Sequence, residues 1–136
     1  MNEADIENAI GKHLSDAALG YDIAWPNRDV AAGQARPYLV FQMVRTGRTS
    51  PVLKGGAAKV YSDGFAMISV VAQTDKFATA ANRIADTVAA LFPAGQQIAV
   101  TGGGTVTVTR PAEIMSGYPD DVNWRVPVRV TYRARA

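Results

Sequence analysis

Three arginines near the carboxyl end of the chain have the clearest capacity for binding chemistry. Arg125, Arg129 and Arg133 alternate with bulky apolar residues in the segment NWRVPVRVTYRARA, a period of two that is typical of a strand with one buried face. Guanidinium groups about 13 Å apart along such a strand could contact successive phosphates or pair with carboxylates of another subunit. Trp124 and Tyr132 fall on the opposite face, which disfavours a sheet that stacks bases. The pattern predicts a basic strand face and leaves three interpretations open: a solvated surface, a protein interface or a nucleic-acid interface.

Three other candidate sites are disfavoured. His13 is the single histidine and the chain has no cysteine, so a metal site would need carboxylates alone, and we expect a partly exposed structural histidine. The stretch TGGGT at 101–105 precedes a strand pattern instead of a helix, which favours a hairpin turn over a phosphate-binding loop. Asp120 and Asp121 are adjacent and diverge on an extended backbone, so they form no acid/base pair. The sequence therefore predicts no catalytic residue, no metal site and no cofactor.

The charges of the chain are distributed unevenly. Residues 1–35 contain six acidic against two basic residues, and the remaining residues contain twelve basic against six acidic ones. The two parts carry net charges of −4 and +6. Such a distribution could steer nucleic acid, and it equally suits head-to-tail packing of identical subunits.

The periodicity of apolar residues predicts the helices and strands that carry these residues. Apolar residues at three- and four-residue steps predict a helix over 3–19 that ends at Gly20, and Trp25 in the following connection is expected to anchor against the core. The near-continuous apolar run YLVFQMVRT predicts a central strand buried on both faces. The segment from Thr46 to Ala58 reads as a loop or hairpin tip. YSDGFAMISVVAQ predicts another strand.

The second half of the chain predicts a helix followed by strands. In TDKFATAANRIADTVAALFP the expected buried stripe is formed by Phe77, Ala81, Ile84, Val88 and Leu91. Two short strands are expected around the Gly triplet, with Val106 and Val108 directed inward. In the last strand Pro127 favours an edge or a bulge. We therefore expect one α+β domain over residues 1–136, a mixed or mainly antiparallel sheet with two main helices packed on it.

The amino terminus and the cysteine content indicate where the protein is made. The segment MNEADIENAI is acidic and lacks the apolar core of a secretion signal, and no run of about 18 apolar residues occurs. The absence of cysteine fits a reducing cytoplasm. We expect a protein that is not exported and does not enter a membrane.

The succession of segments resembles the phage tail terminator family, whose members are also called minor tail or tail completion proteins. The segments are IAWPNRDV, PYLVFQMVRTGRTSPVLKGG, YSDGFAMISVVAQ, ANRIADTVAALF and DVNWRVPVRVTYRA. The most specific pieces are Trp-Pro-Asn after the first connection, the Gly-Phe strand before an Ala-rich helix that ends in Leu-Phe, and the Trp-containing last strand. The resemblance spans the chain from the first helix to its end, and the segment TGGGTVTVTRPAEIMSG departs from the family pattern.

The resemblance implies a structural protein and not an enzyme. The subunit would assemble with copies of itself into a ring, expected to be six-fold, that caps the tail tube, stops polymerisation of the tube protein and presents a surface to the head–tail connector. DNA would be a partner only in transit, and no membrane would be involved. The protein would be found in the host cytoplasm during assembly and then in the virion tail, and a prophage or gene-transfer particle could use the same subunit.

A head-to-tail ring needs two unlike, complementary patches on each subunit. We expect an acidic patch on the first helix, formed by Glu3, Asp5 and Glu7, to meet a basic patch formed by Arg125, Arg129 and Arg133 of a neighbour. A second basic set, formed by Arg45, Arg48 and Lys54, would line the central hole through which DNA passes. The alternative function is a small basic nucleic-acid-binding module that uses the same strand, with an affinity that falls steeply as salt rises.

Overall fold

A computed structural model describes residues 2–26, 37–49, 60–73, 78–120 and 123–135. Lys54 and Phe77 lie outside the described residues. The helices are α1 (Glu3–Asp16) and α2 (Ala78–Ala90). The strands are β1 (Ile23–Ala24), β2 (Tyr38–Thr49), β3 (Tyr61–Gln73), β4 (Gln97–Ala99), β5 (Thr105–Val108), β6 (Glu113–Ile114), β7 (Tyr118–Asp120) and β8 (Asn123–Arg135).

The strands form one mixed, mainly antiparallel sheet. Its order is β1-β2-β3-β8-β5-β4, and the short strands β6 and β7 also pair with β8. Only β1 and β2 run parallel. The centre is the long β3–β8 pair, in register from Tyr61 opposite Arg135 to Gln73 opposite Asn123. This architecture of two helices on a curled sheet confirms the predicted α+β fold.

One face of the sheet carries the helices and the hydrophobic core. On β8 the even-numbered residues from Val126 to Ala134 are buried. They share one cluster with residues of α1 and α2, namely Ile6, Ile10, Leu14, Ala81, Ala85, Val88 and Phe92. We call this side the helix face and the opposite side the outer face. Because neighbouring strand residues alternate between faces, the odd-numbered residues of β3 and β8 lie on the outer face.

Both helices form where the periodicity predicts, with two differences. The first helix ends at Asp16, earlier than expected, because the chain enters the left-handed region at Ala18 (φ 50°) and again at Gly20 (φ 86°). In α2 and the turn that follows it, the buried stripe is Ala81, Ala85, Val88 and Phe92, whereas Ile84 and Leu91 are only partly buried. The predicted stripe was therefore rotated, and two alanines instead of larger side chains face the sheet.

One prediction about the strands is wrong, and another holds in one of its two alternatives. The strand β2 is not central: β1 pairs only with Leu39 and Val40, and exposed residues predominate from Gln42 onward. Pro127 does not mark an edge, because β8 lies between β3 and the strands β5, β6 and β7, but it lies at a bulge, since the three residues 115–117 oppose only Val126 and Pro127. The backbone N–H of Met115 donates to the Pro127 carbonyl oxygen at 2.9 Å, so the proline nitrogen is directed to the gap between β6 and β7. The interior strand tolerates Pro127 at this position because no neighbouring strand there needs a backbone N–H donor.

Two local predictions are confirmed. The ring of Trp25 packs edge-on against Phe41, with 5.6 Å between ring centroids. Gly11 of α1 allows this approach, since a Cβ at that position would lie 3.0 Å from the indole. Strands β4 and β5 form the hairpin around the Gly triplet, and Val106 and Val108 are buried.

Candidate assembly surface

The central β3–β8 pair places the three arginines of the last strand on the outer face. The register sets Arg133 opposite Asp63, Arg129 opposite Met67 and Arg125 opposite Val71. No helix covers this face in the described part of the chain, because the helix residues of the core pack on the other side. The predicted alternation of arginines and buried apolar residues is therefore confirmed.

Arg133 is held by an acid on the adjacent strand. Its Nε donates to Asp63 Oδ1 at 2.7 Å and its Nη2 donates to Oδ2 at 3.4 Å. The guanidinium also lies 5.5 Å from the centroid of the Tyr61 ring. The hydrogen bond to Asp63 and the charge of that carboxylate raise the pKa of Arg133 above its ordinary value. Because the pair is exposed, it contributes little to stability, and it neutralises this arginine within the subunit.

Arg129 has a different environment. Its guanidinium carbon lies 4.5 Å from the centroid of the Phe65 ring, a cation–π contact. Its Nε is buried and has no hydrogen-bond partner among the described residues. A partly buried guanidinium with an unused N–H can donate to a carboxylate or carbonyl oxygen of another molecule. Of the three predicted arginines, Arg129 thus has the clearest unmet binding capacity.

Arg125 lies further along the same face. It is half-buried and stands between Val71 on β3 and Tyr118 on β7. Tyr118 is 46% exposed, one of four large apolar or aromatic side chains that the described structure leaves at the surface. The basic strand face is therefore bordered by exposed apolar surface on the side of β6 and β7.

Two of the amino-terminal acids, Glu3 and Glu7, pair within one chain with Arg45 and Arg48 of the second basic set, which the sequence did not predict. Glu3 accepts hydrogen bonds from the buried Ser62 hydroxyl at 2.6 Å and from Arg45 Nε at 3.2 Å, and its other ion pair is with Arg48 at 3.5 Å. Glu7 lies 3.7 Å from Arg45 Nη2. We call these five residues the Glu3 cluster. The cluster attaches the first turn of α1 to β2 and β3, and its two acids balance its two arginines.

Asp5 stays outside the Glu3 cluster. It makes no ion pair with a described residue, and its carboxylate lies near the Gly102 turn, where a Cβ would be 4.0 Å from Oδ2. None of the three acids contacts an arginine of β8 in the same chain. Within the described residues, the structure thus separates Asp5 from Glu3 and Glu7, and all three from the outer-face arginines.

Tyr132 lies beneath the Glu3 cluster on the helix face. Its ring passes over Gly64, where a Cβ would approach the Val44 carbonyl oxygen to 2.5 Å and the phenol oxygen to 2.8 Å. The hydroxyl is buried with no hydrogen-bond partner among the described residues. Burial raises the pKa of Tyr132 to about 12, and the charge of Glu3 adds to the rise. Tyr132 is therefore a neutral packing residue at neutral pH.

His13 connects the two helices. Its Nε2 is 2.8 Å from the carbonyl oxygen of Leu91, so this nitrogen carries the proton and donates. The imidazole also contacts the Phe92 ring, with 5.1 Å between centroids. Among the described residues no three His, Asp or Glu side chains converge as metal ligands. The histidine is partly exposed, as expected, and it contributes to helix packing.

The residues of β3 that contact the arginines were not predicted from the sequence. Tyr61, Asp63 and Phe65 recur at every second position of YSDGF, the same period that identified the arginines. Their alternation could have placed them on one face, but only the β3–β8 register shows which residue meets which arginine. The exposed residues of β6 and β7 carry no such signal.

The comparisons with known proteins agree on family and fold. A family model described as "Phage tail terminator protein" matches residues 5–132. A solved structure aligns with 100% of this chain and 97% of its own chain at a TM-score of 0.80 and 24% identity, a likeness that shows the fold alone. No curated protein matches the chain. Neither described helix is both long and apolar enough to cross a membrane.

Proposed function

Because this chain belongs to the phage tail terminator family, a family of structural tail proteins, we propose that it caps the tail tube as a closed ring of identical subunits. The ring, expected to be six-fold, ends polymerisation of the tube protein and offers a surface to the head–tail connector. It acts during assembly in the host cytoplasm and remains in the virion tail, and it is not an enzyme. The observation that carries this proposal is the family match over residues 5–132.

We place the contact between subunits on two unlike surfaces. Arg129 is its centre on one subunit, because its guanidinium has an unused buried donor beside Phe65. Asp5 is its best acidic partner on the neighbour, because Glu3 and Glu7 already pair with arginines of their own chain. Arg125 and Arg133 flank Arg129 and complete the basic surface. Two unlike surfaces give a heterologous contact, which closes into a ring when the rotation between subunits allows.

The lining of the central hole is the second part of the proposal. Arg45 and Arg48 are candidates together with Lys54, which lies outside the described residues. The charges of Arg45 and Arg48 are balanced by Glu3 and Glu7. A neutral lining fits DNA that passes through a ring without being bound, since attraction to the phosphate backbone grows with the number of uncompensated cations.

The nucleic-acid-binding alternative has weaker support. Phosphate contacts require arginines that are available along the strand, and Arg133 is already paired with Asp63 at 2.7 Å. The aromatic residues on the outer face, Tyr61 and Phe65, lie under guanidinium groups. Tight DNA binding by a persistent monomer, lost between low and physiological salt, would favour this alternative.

A charge reversal on the outer face tests the proposal. Arg129→Glu should leave the monomer folded and lower the yield of normal-length tails at least tenfold when the variant replaces the chromosomal copy. Arg83→Glu is the matched control, because it makes the same charge change at an exposed position of α2, on the helix side. If Arg129→Glu supports tail completion as well as Arg83→Glu does, Arg129 is not part of the contact.

A further inference from the structure

The strand β6 presents an unpaired backbone edge. Glu113 pairs with Arg129, and the N–H of Met115 donates to the Pro127 carbonyl oxygen. Because backbone groups of an antiparallel strand alternate in direction, the N–H and C=O of Ile114, between these two residues, are directed away from β8. No described residue pairs with them.

Exposed apolar side chains flank this edge. In the described part of the chain, four large apolar or aromatic side chains are exposed: Val44, Ile114, Met115 and Tyr118, at 41%, 39%, 40% and 46%. Three of them belong to β6, β7 and the link between these strands. Exposed apolar residues beside an unpaired strand edge are the features of a site for strand addition.

The fourth residue, Val44, lies on the opposite side of the sheet. On β2 the N–H of Leu39 donates to the Asp22 carbonyl oxygen, so the odd-numbered residues up to Met43 direct their backbone groups away from β3. Strand β1 covers Leu39 and Val40, and the Trp25 ring packs against Phe41. Met43 is therefore the next outward-directed residue before the register shift that follows Arg45.

We propose that the β6 edge of one subunit pairs with the β2 edge of the next, with Ile114 opposite Met43. This proposal rests on the proposed ring and names one of its contacts. The occupant is a second copy of this chain, because the sheet offers two unlike edges, and both carry the exposed apolar side chains that the contact would bury. A heterologous contact between unlike edges is the type that closes into a ring.

The direction of the intermolecular pair follows from the topology. The strand β8 runs antiparallel to β3 and β6, and β3 runs antiparallel to β2, so β6 is antiparallel to β2 within a subunit. A rotation that continues the sheet from one subunit to the next preserves strand directions, so the new pair is antiparallel. With Ile114 opposite Met43, Glu113 then lies opposite Val44 on the outer face.

The edge contact does not depend on the Arg129 and Asp5 contact. Glu113 of β6 is the register partner of Arg129, whereas Asp5 lies near the Gly102 turn and not in the Glu3 cluster that is bonded to β2. The edge contact is therefore tested by itself.

A disulfide bond provides the direct test, because the chain has no cysteine of its own. In the proposed register Val44 and Glu113 form a pair that is not hydrogen-bonded, with Cα atoms about 4.5 Å apart, within the range that a disulfide spans. Within one chain the two residues are separated by three strand spacings of about 4.8 Å each, too far for a bond. Covalent linkage of Val44→Cys with Glu113→Cys can therefore arise only between subunits.

Tails should be purified from cells in which the double variant replaces the natural copy, then mildly oxidised and run on a denaturing gel without reductant. We expect a ladder of multimers that a reductant collapses to monomer. The matched control pairs Val44→Cys with Asp86→Cys on the exposed side of α2, and it should remain monomeric. Tails that contain the Val44/Glu113 variant only as monomer would overturn the edge contact and leave the proposed function standing. Tails from the unmodified strain that lack the natural chain would overturn the proposed function itself.

A proline substitution tests the edge contact if the cysteine variant does not enter tails. Ile114→Pro removes the outward N–H without removing a bond to β8, whereas Ile114→Val keeps it. Both purified variants should melt within a few degrees of the natural chain. Ile114→Pro should lower the yield of normal-length tails at least tenfold relative to Ile114→Val. Equal yields from the two variants would contradict the edge contact.

Discussion

Removal of the Glu3 side chain tests how α1 is attached to the sheet. In Glu3→Ala the Ser62 hydroxyl, which is fully buried, loses its acceptor, at a cost of about 1–3 kcal/mol. The ion pairs with Arg45 and Arg48 involve arginine side chains that are 46% and 48% exposed, so each contributes at most about 1 kcal/mol. We expect the free energy of unfolding to fall by about 2–3 kcal/mol.

Two further variants separate the contribution of the Ser62–Glu3 hydrogen bond from the contribution of the Glu3 charge. Glu3→Gln keeps a carbonyl oxygen for Ser62 and loses only the charge, so about 1 kcal/mol should be lost. Asp5→Asn removes a charge from the same helical turn and reports the effect of the helix dipole, about 0.3–1 kcal/mol. Both substitutions leave the Ser62 hydroxyl with its partner, unlike Glu3→Ala.

The assay is equilibrium unfolding in urea, which unlike guanidinium chloride does not screen charges. About 1 M NaCl shortens the Debye length to about 3 Å, so salt should diminish the loss in Glu3→Gln and preserve most of the loss in Glu3→Ala. If Glu3→Ala lowers the free energy of unfolding no more than Asp5→Asn does, the buried Ser62–Glu3 hydrogen bond contributes nothing measurable, contrary to this prediction.

Two other variants test the packing beneath the Glu3 cluster. The pKa of Tyr132 is raised to about 12 in the folded chain from about 10 in the unfolded chain. The free energy of unfolding should therefore keep its full value below pH 10 and fall by up to about 2.7 kcal/mol as the pH rises through 12. Tyr132→Phe should lack this loss and gain up to about 1 kcal/mol at pH 7 by removing an unpartnered hydroxyl; parallel stability curves for the two proteins between pH 9 and 12 would contradict this. Gly64→Ala should cost about 1–3 kcal/mol in urea unfolding, because its Cβ meets the Val44 backbone oxygen at 2.5 Å. Gly47→Ala, with nothing within 4 Å, should be neutral or slightly stabilising, and equal losses at the two glycines would argue against the close approach.

Periodicity predicted the helices and strands more accurately than it predicted which strands lie side by side in the sheet. The period of two in the last strand predicted which residues of β8 are buried, because the pleat fixes side-chain direction along a strand. It could not predict that Pro127 lies inside the sheet, since this depends on the gap between two short strands, β6 and β7, that pair with the same partner. Likewise the apolar residues of β2 indicated a strand without showing that, among the described residues, its second half has no neighbouring strand on the side away from β3.

The candidate site shows the same limit. Net charge indicated an acidic first helix and basic strands, but which charges pair depends on the packing of α1 over β2 and β3. That packing brings Glu3 to Arg45 and Ser62, at 42 and 59 residues of separation, contacts with no local sequence signal. The resemblance to tail terminators supplied the expectation of assembly, and the register of the sheet supplied the residues that assembly would use.

The proposed role of this chain as the cap of the tail tube can be tested directly. Electron microscopy of particles from a strain that lacks only this gene measures tail length and head attachment together. We expect tubes of uncontrolled, greater length without heads, and normal tails when the gene is supplied in trans. Normal-length tails joined to heads in the deletion strain would contradict it.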